Sequence, residues 1–67
     1  MTNRKEFVRQ TRLSLGLSQD QLASAMCLTR ITITRWENGK VEISDDKLHH
    51  LLLFSNYYLA LAAAVRR

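Results

Sequence analysis

Proline is absent from these 67 residues, glycine occurs twice and cysteine once. Without proline, no helix is broken by a residue that lacks an N–H and clashes with the preceding turn. With so little glycine, chain reversals are expected mainly at Gly16 and Gly39, where positive φ carries no steric cost. A single Cys27 excludes an internal disulfide. A zinc site needs several Cys or His ligands, and the only others are His49 and His50. On a helix these point about 100° apart, so they read as surface histidines. No metal and no cofactor are expected. No nucleophile–base–orienter set can be assembled and there is no phosphate loop, so an enzyme is not expected; 67 residues leave no room for a ligand-sensing domain, so no small-molecule ligand is expected either. Met1 to Glu6 lead into no apolar run of the kind a secretory signal requires. The apolar stretch 51–65 is interrupted by Ser55 and Asn56 and is shorter than the ~20 residues of a spanning helix. A membrane partner is therefore not expected, and the unpaired cysteine fits a reducing cytoplasm.

A chain of this length forms one domain, 1–67, and buries only about 60% of its unfolded surface. Its core is expected to contribute no more than roughly 3–5 kcal/mol of net stability. With disulfide and metal set aside, a partner chain is the remaining support. The net charge of +4 lies entirely in residues 1–40, where seven basic residues face three acidic ones; residues 41–67 are neutral. A basic amino-terminal part on a neutral tail points to a polyanion.

The elements are helices; only 31–34 alternates like a strand, and briefly. A first helix over about 3–15 places Phe7, Val8, Thr11 and Leu15 on one face and ends at Gly16. Ser18-Gln19-Asp20-Gln21 is a capping box, with Asp20 suited to the positive end of the helix dipole. That second helix reaches Met26 with Leu22, Ala25 and Met26 inward. Thr29 caps a third helix over about 30–37, stopped by Asn38-Gly39. There Ile33, Trp36 and Glu37 share one side, while Ile31, Thr34, Arg35 and Asn38 lie opposite, flanked by Arg30. Ser44 or Asp45 caps the carboxy-terminal segment. From Asp45 to Arg67 nothing but Ser55-Asn56 suggests a break, so the tail is one helix or two. Residues 1–43 thus form the first three helices and 44–67 a carboxy-terminal helical segment.

Between Ser18 and Gly39 stand two short helices, a turn of about three residues, a small Ala23 at their crossing, and Leu28, Ile33 and Trp36 as anchors. This spacing suits a helix-turn-helix. Leu17-Ser18-Gln19-Asp20-Gln21-Leu22-Ala23 and Ile33-Thr34-Arg35-Trp36-Glu37-Asn38-Gly39-Lys40 closely resemble the second helix and the end of the recognition helix in phage repressor and Cro-like (Xre-type) proteins. The resemblance covers about 4–53. It implies an all-α, four- or five-helix lambda-repressor-like domain that binds double-stranded DNA. It also implies that Arg30, Ile31, Thr34 and Arg35 face the bases, that Ser18, Gln19, Thr29, Asn38 and Lys40 meet phosphates, and that Arg12 and Glu37 form a partly buried pair. Arginine bidentate to guanine, and Ile31 or the Thr34 methyl against a thymine methyl, would read the major groove. Two departures stand out. Cys27 occupies the turn position usually held by glycine, where positive φ carries strain unless the turn relaxes, and the glycine after the family's fourth helix is missing. The tail past Leu53 is read without the family.

Plainer roles fall to the remaining residues. Trp36 is core and not a stacking platform; Arg4, Lys5 and Arg9 are solvated or diffusely attracted to phosphate. Cys27 is a small buried filler, since no basic neighbour is evident to activate its thiolate. The tail carries more apolar surface than three helices can cover, and a surplus apolar face marks an interface. Leu51, Phe54, Tyr57, Tyr58, Leu61 and Val65 are therefore expected to pair two copies, while Asp45-Asp46 and Arg66-Arg67 suit the helix dipole. The expected function is a homodimeric repressor or autoregulator at a pseudo-palindromic operator of a small phage or mobile-element operon, of the anti-CRISPR-associated or restriction–modification type. The chief rival is an antitoxin that binds DNA and masks a toxin; a protein-interaction module is the other.

Overall fold

The computed structural model describes residues 3–65, and its elements are four helices: α1 (Arg4–Ser14), α2 (Gln19–Ala25), α3 (Arg30–Asn38) and α4 (Asp45–Val65). No strand occurs among the described residues; 31–34 is helical. Each start has a local cause. The Asn3 side chain accepts from the Glu6 N–H. Ser18 and Gln21 complete the capping box, at 3.1 Å and 2.8 Å. Ser44 takes the capping role at α4, its Oγ accepting from the Lys47 N–H. Thr29 sits at the start of α3 but makes no side-chain cap; its hydroxyl pairs with that of Thr32 at 3.2 Å.

The first three helices end alike. A residue at positive φ follows each: Gly16 at 71°, Cys27 at 58° and Gly39 at 78°. Its N–H bonds the carbonyl three residues back, and the next N–H reaches five back: Gly16 to Leu13 and Leu17 to Arg12, Cys27 to Ser24 and Leu28 to Ala23, Gly39 to Trp36 and Lys40 to Arg35. This is the Schellman closure, which satisfies the last carbonyls of a helix. The turn after α2 has not relaxed around its cysteine.

Val8, Leu22, Ala23, Met26, Ile33, Trp36, Ile43 and Leu51 form the core, with Phe7, Leu17, Leu28, Leu48 and Phe54 packed against it. Each fully buried side chain among them contributes about 1.5–3 kcal/mol over its exposed state. Four expectations about burial are corrected. Ala25 is exposed: Leu22, Ala23 and Met26 define the inward arc of α2, and Ala25 lies about 110° from its centre. Cys27 is exposed, not buried, because the left-handed turn carries it outside. Arg4 is half-buried instead of solvated; it donates to the Ile43 carbonyl at 3.0 Å and pairs with Asp45 at 2.6 Å, tying the start of α1 to the start of α4. Leu51, expected in an interface, is fully buried in the chain's own core.

The tail is one unbroken helix of 21 residues, for which only Leu51 is fully enclosed. Starting at Asp45 instead of Leu51, it is long and apolar enough to cross a bilayer by length and composition. Arg66 and Arg67 lie outside the described residues. Leu52, Leu53, Tyr57, Leu59, Leu61 and Val65 are exposed. Phe54 gives part of its surface to the core and packs on Tyr58, ring centroids 5.8 Å apart.

Candidate nucleic-acid interface

α3 has one side fixed and one side free. Ile33 is completely buried and Trp36 nearly so, as their three-residue spacing on a 3.6-residue helix requires. The turn on either side of them is thereby oriented outward. Arg30, Ile31, Thr34, Arg35, Asn38 and Lys40 line one shallow depression of about 450 Å³. All four side chains expected at bases, and two of those expected at phosphates, share this surface. Ser18 and Gln19 lie with Arg12, Asp20 and Arg30 on the adjoining depression of about 310 Å³, so the remaining positions border it; Thr29 is exposed just before α3.

Ile31 is 61% exposed, an apolar side chain with no partner among the described residues and therefore available to an apolar atom such as a thymine methyl. Arg30 stands 4.0 Å from Asp20, both well exposed; such a pair contributes about 0–1 kcal/mol and leaves Arg30 free to reorient. On sequence alone, Asp20 serves only the helix dipole.

A partly buried ion pair holds this face at its angle. Arg12 Nε donates to Glu37 Oε2 at 2.7 Å and Nη2 to Oε1 at 3.1 Å; Arg12 Nη1 donates to the Leu17 carbonyl at 3.0 Å. One guanidinium thus joins α1, the loop before α2, and α3. Burial pushes the Glu37 carboxyl up, but donation from Arg12 and Gln19 and the charges of Arg12 and Arg9 outweigh it, so Glu37 is held below its ordinary value. The hydrogen bond to Glu37 raises Arg12, against its own desolvation. Both are charged at neutral pH. Gln19 joins the pair, Nε2 donating to Glu37 Oε1 at 3.1 Å, and its Oε1 accepts from the Thr34 hydroxyl at 3.2 Å. That link spans 15 residues and has no signature in local spacing; only the crossing of α2 over α3 creates it.

Two short helices over a shared core, the second offering a basic outer face with little to engage it, define a helix-turn-helix DNA-binding domain. The model of the helix-turn-helix family matches residues 8–52, well over half the chain. The protein belongs to that family, in its Xre or lambda-repressor-type form. It is accordingly a sequence-specific DNA-binding protein of transcription regulation, in a family of regulators that are typically not enzymes. No curated protein and no solved structure matches the chain.

Proposed function

We propose that the chain is a homodimeric repressor that covers a pseudo-palindromic operator, with Arg30, Ile31, Thr34 and Arg35 reading bases and Ser18, Gln19, Thr29, Asn38 and Lys40 holding phosphates. The observation that carries this reading is the single depression shared by Arg30, Ile31, Thr34, Arg35, Asn38 and Lys40. Arginine beside threonine and isoleucine on one outer helix face supplies guanine-reading donors next to methyl-reading carbon. The expected half-site therefore contains guanine with thymine nearby. On this reading the protein works in the cytoplasm of a bacterium, as the regulator of a small operon carried by a phage or mobile element.

Pairing is supported by α4. Leu53, Tyr57 and Leu61 recur every four residues and all are exposed, so they make one apolar stripe along the helix. Two copies joined there would bring two α3 helices to one side of a duplex, about one helical turn apart. The uncovered stripe also favours the antitoxin reading, in which a toxin occupies it.

Selection from a random duplex library, followed by binding against salt, tests the DNA reading. A guanine-containing inverted repeat and a log–log salt slope of about −0.9 per neutralised phosphate are expected; a flat salt response and no consensus would remove it. Sedimentation of the protein alone separates the pairing partners: a dimer supports the homodimeric repressor, whereas a monomer soluble only with a second protein or with lipid would replace it.

A further inference from the structure

Arg12, Glu37, Gln19 and Thr34 form a hydrogen-bond relay that runs from inside the domain to the DNA-facing surface, and each link dictates the direction of the next. The Arg12 guanidinium has only donors and gives two of them to Glu37. The ionised carboxylate only accepts, so Gln19 must turn its NH2 toward Glu37 Oε1, 3.1 Å away. The opposite amide orientation would set two oxygens against each other. The amide oxygen therefore faces Thr34, and the Thr34 hydroxyl donates to it at 3.2 Å. The charge of Glu37 thus decides, two side chains away, what Thr34 can offer.

A threonine hydroxyl has one proton. Once it is directed at Gln19, no donor remains for a base, and what Thr34 can still offer is its methyl group and its oxygen lone pairs. We propose that Gln19 is a positioning residue that holds Thr34 as a methyl-presenting reader without a donor, selecting a thymine methyl at one step of each half-site and rejecting guanine, whose O6 and N7 only accept. This rests on the DNA-binding reading above. The second N–H of the Gln19 amide is not used in the relay, so Gln19 can also meet a phosphate without releasing Thr34.

The test uses the full chain and a duplex selected by the wild-type protein. Each thymine is replaced in turn by deoxyuridine, which deletes only the methyl. One position per half-site should weaken binding about fourfold, the ~0.8 kcal/mol of one buried carbon converted at RT. Gln19→Ala should erase that sensitivity, and Gln19→Met should do the same with side-chain volume retained. In the Gln19→Ala, Thr34→Val double variant the sensitivity should return, because valine carries a methyl at both γ positions and needs no partner to present one. If Gln19→Ala instead weakens every duplex equally and leaves the deoxyuridine effect intact, Gln19 is a phosphate contact alone and the proposal is overturned. It is equally overturned if no thymine responds to demethylation while selective binding persists. Absence of any selected consensus would overturn the DNA reading itself, a result distinct from both.

Discussion

Replacing Cys27 by glycine should make the protein more stable, although it deletes a side chain. Cys27 has φ 58°, where an L-residue is crowded by its own Cβ at a cost of roughly 1–2 kcal/mol. Its side chain is exposed, so truncation leaves no cavity, and the two hydrogen bonds of the turn come from the backbone of Cys27 and Leu28. Against the relief of strain stands the larger entropy of glycine in the unfolded chain, about 0.5–1 kcal/mol. The balance is a gain of about 0.5–1 kcal/mol, or several degrees in melting temperature for a chain this short. The assay is thermal and urea unfolding followed by circular dichroism, under reductant and at one fixed protein concentration. Cys27→Ala keeps the Cβ and should stay within about 0.5 kcal/mol of the parent, while Cys27→Val, branched at Cβ, should lose stability. A glycine variant no more stable than the alanine variant would refute the attribution of strain to this turn.

Other perturbations act at separate places. Arg12→Met leaves the Glu37 carboxylate nearly enclosed without its partner and should cost about 2–4 kcal/mol in urea unfolding, more than Glu37→Gln, which removes the charge instead of stranding it. Because Glu37 is held below its ordinary value in the folded protein, the stability it contributes is complete above the unfolded-state value, about 4.3. That stability is lost as pH falls from there through the lower folded value; Glu37→Gln should flatten this acid limb of the stability–pH curve. Arg35→Ala should relax the base preference in library selection while the melting curve stays within about 0.5 kcal/mol of the parent. Leu61→Asp, on the exposed stripe of α4, should shift sedimentation to monomer and weaken operator binding, and an unchanged particle would exclude that stripe as the interface.

Much of the frame is legible because it is written in short-range chemistry. The capping box at Ser18 and Gln21, the stop at Gly39 and the inward pair Ile33 and Trp36 all depend on residues within four positions of one another. Arg12 and Glu37 are 25 positions apart, and their pairing comes from the family resemblance. Where neither local spacing nor resemblance applies, the sequence is mute. Arg4 meets Ile43 and Asp45 some 40 residues away, and nothing local distinguishes it from Lys5 or Arg9. The direction of α4 is hidden too: with leucines and tyrosines on every side, its wheel does not tell which stripe faces inward, and Leu51 reads as outward. Cys27 misleads for the opposite reason, since the rule that cysteines are usually buried yields to the geometry of a left-handed turn.

Past Phe54 the last eleven residues of α4 continue for about 16 Å with little of the body beneath them, giving the molecule a long axis of 40 Å against 26 and 18 Å. A pair joined by such outriggers would have its two reading heads set at the ends of a lever. A tilt of a few degrees between the helix ends would move one head relative to the other by ångströms. Half-site spacing could then drift, from one lineage to the next, through substitutions at leucines far from any base, with the alphabet of α3 left untouched.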